Sequence, residues 1–248
     1  MAHKYPHTIA VSLRGALHKA KNLPCQDYFC HRRNKNKFVA VISDGAGSAP
    51  HSRIGAKTVC QTLCDILSHS NLQNIQSDVK KAIIAAREKL ILHSHNKSKS
   101  AEELINYAAT LVGVFCYKQK GIFFHIGDGA GIAYTHNNYK NMVVSEPENG
   151  AFSCETFFYT MTDWDRCLRF TSFDYADYIM LMSDGVTGFV FADDFYNIRN
   201  NFFVPIANYL TDEHLKKTAE KALINTLDDT RARRLNADDK TLLWACLK

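Results

Sequence analysis

Two rhythms of apolar residues alternate along the chain. Short runs at His7 to Leu13, Lys37 to Ser43, Ala109 to Tyr117, Gly121 to Ile126, Gly131 to Thr135, Tyr178 to Ser183 and Thr241 to Leu247 are rich in β-branched and aromatic residues. Each predicts a strand. Apolar positions recurring every three and four residues predict helices over Ser52 to Leu67, Ser77 to His93, Ser100 to Ala108 and Asp212 to Leu227. Ser100 followed by Glu103 fits a capping box, and Lys118 to Gly121 should turn a hairpin. Strands come first, then two long helices, then hairpin-linked strands, then a last helix and strand. That order favours an α+β arrangement over a regularly alternating parallel sheet.

Composition narrows the class. The chain has 248 residues, 46% hydrophobic and 22% charged, and so can bury a substantial core without staples. Repeats, low-complexity tracts and Pro-rich linkers are absent, so residues 1–248 are expected to form a single domain. No apolar run reaches the length of a membrane span, and the N-terminus lacks a signal-peptide core, which together predict a cytoplasmic protein. A net charge of +5 is mild, and its basic runs, Lys19 to Lys21, Arg32 to Lys37 and Arg231 to Arg234, lack interleaved aromatics. They are read as solvated charge, with no nucleic-acid partner.

The eight cysteines, Cys25, Cys30, Cys60, Cys64, Cys116, Cys154, Cys167 and Cys246, are scattered among apolar neighbours without a CxxC pair, and read as buried free thiols. Cys60 and Cys64 lie one helical turn apart, but two residues make an incomplete zinc site. A nucleophilic cysteine would want a loop of the Cys-x5-Arg kind, and neither Cys25 nor Cys30 has an Arg six positions on.

The acids carry the chemistry. Asp44-Gly45 follows the strand ending at Ser43, Asp128 sits between Gly127 and Gly129 after another strand, Asp184-Gly185 follows a third, and Asp238-Asp239 precedes the last. One such Asp-Gly is an ordinary turn. Several carboxylates at the rim of a sheet repel one another unless a cation neutralises them, and oxygen donors without His or Cys point to Mg²⁺ or Mn²⁺. His93, His95 and His125 could serve as ligands in principle, but core or surface roles are commoner for such histidines.

Taken in order, Asn22-Leu23-Pro24-Cys25-Gln26-Asp27, Ser43-Asp44-Gly45-Ala46-Gly47-Ser48 with Gly55-Ala56, Gly127-Asp128-Gly129, Ser183-Asp184-Gly185 and Asp238-Asp239-Lys240-Thr241 resemble the signature blocks of the metal-dependent protein phosphatases of type 2C. The likeness spans about residues 10 to 247 and is nearest to a compact bacterial branch whose first block reads Pro-Cys-Gln-Asp. The resemblance implies a four-layer αββα sandwich, two antiparallel sheets flanked by helices. It also implies two Mg²⁺ or Mn²⁺ ions, with Asp44 bridging them, the Gly45 carbonyl on one, and Asp184 and Asp238 completing the first. Asp27 would support the centre, and Asp128 an additional ion. The implied reaction is hydrolysis of phosphoserine or phosphothreonine by a water whose pKa the two cations lower.

Several positions depart from the family pattern. Where relatives carry a phosphate-gripping Arg, this chain has His18-Lys19-Ala20-Lys21-Asn22, so His18 or Arg14 is expected to take that part. The third block lacks the Arg of Gly-Asp-Ser-Arg. Asp239 stands where Asn is commoner, which leaves Asp238 and Asp239 both open as the ligand. Ser145 to Tyr175 corresponds to a variable flap, read either as a docking element or as packed cover. Thr110 is read as structural. The expected partners are a phosphoprotein and a cognate kinase, with the chain a monomer and no membrane contact. The alternative is a catalytically silent phosphatase-like module that binds a phosphoprotein or a kinase.

Overall fold

The computed structural model describes residues 7–94, 101–136, 138–148, 156–192 and 198–248. The strands are β1 Thr8–Leu13, β2 Tyr28–Asn34, β3 Lys37–Ser43, β4 Leu111–Tyr117, β5 Lys120–Ile126, β6 Ala130–Thr135, β7 Asn138–Ser145, β8 Arg169–Phe173, β9 Tyr178–Met182 and β10 Lys240–Cys246. The helices are α1 Ala16–Ala20, α2 Ser52–Leu67, α3 Ile75–His93, α4 Trp164–Cys167, α5 Asp184–Val190, α6 Asn200–Thr211, α7 Lys216–Leu227 and α8 Thr230–Leu235. Among the described residues no helix is long and apolar enough to cross a membrane.

All strand pairs are antiparallel, in two five-stranded sheets of order β1-β10-β9-β6-β7 and β2-β3-β4-β5-β8. The period of two explains the layers. On β3, Phe38, Ala40 and Ile42 meet Ile179, Leu181, Leu243 and Ala245 of the opposing sheet. Val39 and Val41 face the other way, onto Ala56, Val59 and Leu63 of α2 and Val79 and Ile83 of α3. Likewise Leu242 and Trp244 of β10 face out onto Phe189 of α5, Phe203 and Leu210 of α6 and Leu223 of α7. Because both faces of β3 and β10 are buried, their sequences are continuous apolar runs instead of alternating ones. The result is helix, sheet, sheet, helix, the αββα sandwich the signature blocks imply.

Some elements differ from the sequence expectation. Ala101–Tyr107 is a 3-10 helix where an α-helix is predicted, and Ser100, half of the expected capping box, lies outside the described residues. The helix predicted from Asp212 starts later: Glu213–Leu215 is a 3-10 turn, and α7 follows from Lys216. Helix α6 carries Pro205 within it and is not expected from pattern, since Pro inside a helix removes a backbone donor. Strands β2, β7 and β8 are also unexpected. Each is a sheet edge, and polar residues interrupt all three sequences. The hairpin after Tyr117 forms as expected, with Tyr117 opposite Lys120 and Lys118 at φ 56°.

Candidate metal centre

The acids converge because strand ends of both sheets meet at one end of the sandwich. Beyond β3 the chain pairs once more with the segment before β4. Thr110 donates its N–H to the Asp44 carbonyl at 2.8 Å, and Ala46 donates to the Ala108 carbonyl at 2.9 Å. In this bridge Gly45 and Ala109 face each other without bonding, so the N–H and C=O of Gly45 are directed away from β4. The Thr110 hydroxyl also accepts the Asp44 N–H at 3.0 Å, while Ser43 Oγ donates to the Thr110 carbonyl at 2.5 Å. Thr110 therefore fixes the backbone that carries Asp44. A Cβ on Gly45 would stand 2.9 Å from the Gln26 carbonyl and from Ser52, so only glycine lets the first block approach this turn.

The Asp184 end is built differently. Asp184 opens α5, with Ser183 at the preceding position. The Ser183 side chain turns inward, donating to Asp27 Oδ2 at 2.9 Å and accepting the Thr241 N–H at 3.0 Å. A Cβ on Gly185 would meet the Asp239 carbonyl at 1.8 Å, which packs α5 directly onto the turn before β10. After β5, Gly127 adopts φ 110°, and Asp128 accepts the Thr156 hydroxyl at 2.6 Å.

The carboxyl of Asp44 lies against those of Asp27 and Asp184. Burial first, then the negative charges of Asp27 and Asp184, push its pKa well above the usual range. Burial likewise pushes Asp27 up to about 7, though contacts from Asp44, Thr241 and Ser183 oppose it. Asp184 is pushed up to about 6 by burial, with the charges of Asp128 and Asp238 adding to it. Asp128 is raised as well, chiefly by burial. Among the described residues none of these five acids forms a salt bridge. Anions in this proximity require a shared proton or a cation.

A divalent cation fits the oxygens present. Asp27 Oδ1, Asp184 Oδ1 and Gln26 Oε1 are buried and accept no hydrogen bond from the protein, which is costly unless something else meets them. All are hard oxygen donors, the set that suits Mg²⁺ or Mn²⁺. Among the described residues no group of three or more Asp, Glu, His or Cys side chains is placed to hold a metal ion as it stands.

The two adjacent acids before β10 have separate surroundings. Asp239 is buried, and both its oxygens are engaged: Oδ1 accepts the Gly15 N–H at 2.6 Å, and Oδ2 accepts the Gln26 N–H at 2.6 Å and pairs with His18 Nδ1 at 2.8 Å. Among the described residues the Asp238 carboxylate accepts the Asp239 N–H, at 2.8 Å on Oδ1, while its backbone carbonyl accepts from Lys240 Nζ at 3.0 Å, and its charge is felt by Asp128 and Asp184. His18 is thus held by Asp239, and Arg14 donates to the Leu23 carbonyl at 3.3 Å.

The remaining candidates lie elsewhere. His125 is buried in β5 with Nδ1 3.1 Å from Ser145 Oγ, and His93 approaches the Tyr107 hydroxyl at 3.3 Å; His95 and Cys154 fall outside the described residues. The Cys25 thiol is pushed up by burial and by Asp27 and Asp239, the opposite of an activated nucleophile. In the Ser145 to Tyr175 segment, residues 149–155 lie outside the described residues. The following part packs down: Tyr159 is buried, its hydroxyl donates to the Gly55 carbonyl at 2.9 Å, and Arg87 donates to the Tyr159 and Met161 carbonyls at 2.8 Å. Sequence reasoning missed Gln26 and Ser183. The only available signal for Ser183 was the repeated Ser-Asp-Gly at Ser43 and Ser183.

Comparison with known proteins agrees with this architecture. Solved structures superpose over nearly the whole chain at low identity. The S. agalactiae serine/threonine phosphatase has a TM-score of 0.68 and 15% identity, covering 98% of this chain and 100% of that one. Serine/threonine phosphatase Stp1 from Staphylococcus aureus has a TM-score of 0.64 and 15% identity, covering 99% and 96%. RsbX in complex with magnesium has a TM-score of 0.61 and 12% identity, covering 100% and 98%. At these identities the likeness is one of fold. No curated protein sequence matches the chain. The family model described as Protein phosphatase 2C matches residues 14–228, most of the chain, and the chain therefore belongs to the protein phosphatase 2C family.

Proposed function

We propose that this chain is a metal-dependent serine/threonine protein phosphatase of the compact bacterial kind, acting on phosphoserine and phosphothreonine with two Mg²⁺ or Mn²⁺ ions. The observation that carries the reading is the contact of three carboxyls, buried Asp27 and half-buried Asp44 and Asp184, with Oδ1 of Asp27 and of Asp184 left without a donor. Asp44, the Gly45 carbonyl, Asp184 and Asp238 are the proposed ligands, with Asp27 supporting them and Asp128 serving an additional ion. Divalent cations held there supply a water of lowered pKa and neutralise phosphoryl charge.

The chain's own residues do the positioning. Thr110 sets the Asp44 backbone, Ser183 holds Asp27, and Asp239 anchors the first block through the Gln26 N–H. Because Asp239 is engaged on both oxygens, Asp238 is the acid available to a metal. Arg14, whose guanidinium has further N–H groups beyond its bond to Leu23, is the proposed phosphate grip, with His18 beside it fixed by Asp239. The substrate is a phosphoprotein and the opposing enzyme a protein kinase, as the reaction class requires.

The test is phosphate release from a phosphothreonine peptide by wild type and Asp44→Asn, with Mn²⁺ or chelator, beside calorimetric Mn²⁺ titration. Turnover that needs both Mn²⁺ and Asp44 supports the reading. Tight Mn²⁺ binding without turnover on any phosphopeptide would point instead to a silent binding module.

A further inference from the structure

The thiols that the mechanism does not use are unevenly placed. Helix α2 presents Cys60 and Cys64 one turn apart toward edge strand β2. Cys60 Sγ donates to the Tyr28 carbonyl at 3.5 Å, and Cys64 Sγ donates to the Cys30 carbonyl at 3.1 Å. A helical turn rises about 5.4 Å and two strand residues about 6.6 Å, so the two ladders nearly match. The sequence pairs Cys60 with Cys64 by spacing, but the fold sets the Cys64 thiol on the Cys30 carbonyl, 34 residues away, with the two sulfurs near enough to perturb each other's ionisation.

Cys30 also has a cation on it. Arg32 Nη1 lies 3.2 Å from Cys30 Sγ, and the Arg32 side chain reaches solvent. The Cys64 contact first, with help from Arg32, brings the Cys30 thiol down to about 7 despite burial. Burial pushes Cys64 and Cys60 well up, and Cys25, Cys116 and Cys167 are raised too. One sulfur is therefore disposed to be a thiolate, and a neutral thiol stands beside it. Cys30 is 8% exposed and Cys64 0%, so the nucleophilic member is the one a small oxidant meets first.

We propose that Cys30 and Cys64 form a peroxide-reactive dithiol site that closes into an internal disulfide between β2 and α2. The Cys30 thiolate attacks one oxygen of hydrogen peroxide, breaking the O–O bond to give a sulfenic acid and hydroxide, which takes a proton to leave as water. Cys64 sulfur then attacks the Cys30 sulfur, its proton leaves with the hydroxyl as a second water, and the S–S bond forms. Two thiols are oxidised by two electrons and one peroxide is reduced to two waters. A small-molecule thiol reverses the bond by exchange.

The full-length protein, treated with stoichiometric hydrogen peroxide, alkylated and digested without reductant, should yield a peptide pair linked through Cys30 and Cys64. The pair should disappear after dithiothreitol and persist in Cys60→Ser. In Cys64→Ser the same treatment should leave Cys30 as a sulfenic acid that dimedone traps. Absence of the linked pair in wild type, linkage of either residue to Cys60, or oxidation of Cys25 or Cys167 ahead of Cys30 would each overturn the proposal.

Discussion

The hydroxyl of Ser183 donates to Oδ2 of Asp27 at 2.9 Å, joining residues 156 apart in sequence and the ends of opposite sheets. Ser183 closes β9 of one sheet, and Asp27 precedes β2 of the other. Ser183 Oγ also accepts the Thr241 N–H at 3.0 Å, so one small side chain ties three site segments together. Ser183→Ala should leave a buried N–H and a buried carboxylate oxygen without partners and lower stability by about 1–3 kcal/mol. A thermal melt in chelator checks this; an unchanged midpoint would mean that water takes over both bonds.

Asp44 is expected to be a functional residue held at a cost to stability. Its half-buried carboxyl lies against those of Asp27 and Asp184, so Asp44→Asn should raise the melting temperature of chelated protein at pH 7.5. The same variant should lose Mn²⁺-dependent phosphate release by a factor of about 100 or more, if one missing ligand costs at least the about 2.7 kcal/mol that such a factor represents. A variant that melts lower than wild type in chelator would count against the electrostatic account.

The pH dependence follows from the raised carboxyls. Burial pushes Asp27 up to about 7 and Asp184 up to about 6 in the folded chain, above their ordinary value of 3.8. A raised acid binds more protons folded than unfolded, so its stabilising effect is full below pH 3.8 and is lost as pH rises through 6 and 7. Buried His125 and half-buried His31, both lowered, act in the opposite direction below 6.5. Those histidines are common to chelated and loaded protein, so the rise in melting temperature on adding Mn²⁺ isolates the carboxyls. That rise should be small at pH 5.5 and several times larger at pH 8.

Asp238 and Asp239, adjacent in sequence, should respond differently. Asp239→Ala strands the Gly15 and Gln26 N–H groups and the His18 ring, and should cost at least about 2 kcal/mol of stability with or without metal. Asp238→Ala should leave the chelated melt within about 1 kcal/mol of wild type, because its carboxylate accepts a single local bond, while weakening Mn²⁺ binding in calorimetry. The reverse pattern would exchange their assignments.

Central strands β3, β4, β5, β6, β9 and β10 were legible because burial on both faces demands unbroken apolar runs such as Phe38 to Ile42. Edge strands such as β2, reading Tyr28 to Asn34, bury only Cys30 and look like loop. Helix α5 was hidden because Asp184-Gly185 has turn chemistry, and what makes it helical is packing of Val186 and Val190 against the outer face of its sheet. Gln26 had no local signal: its importance comes from a buried amide oxygen without a donor and from its backbone N–H, which Asp239 accepts across 213 residues of chain.

The sequence alone therefore determined the layer pattern and the acids at the strand ends, since side-chain period and turn chemistry are local properties written in neighbouring residues. Only the tertiary structure decided which acids meet, that Asp239 is engaged by Gly15, Gln26 and His18 while Asp238 is not, and that Cys64 faces Cys30 instead of Cys60. Those outcomes depend on contacts between segments far apart in the chain, and burial, hydrogen-bond saturation and charge proximity exist only once the two sheets have closed on each other.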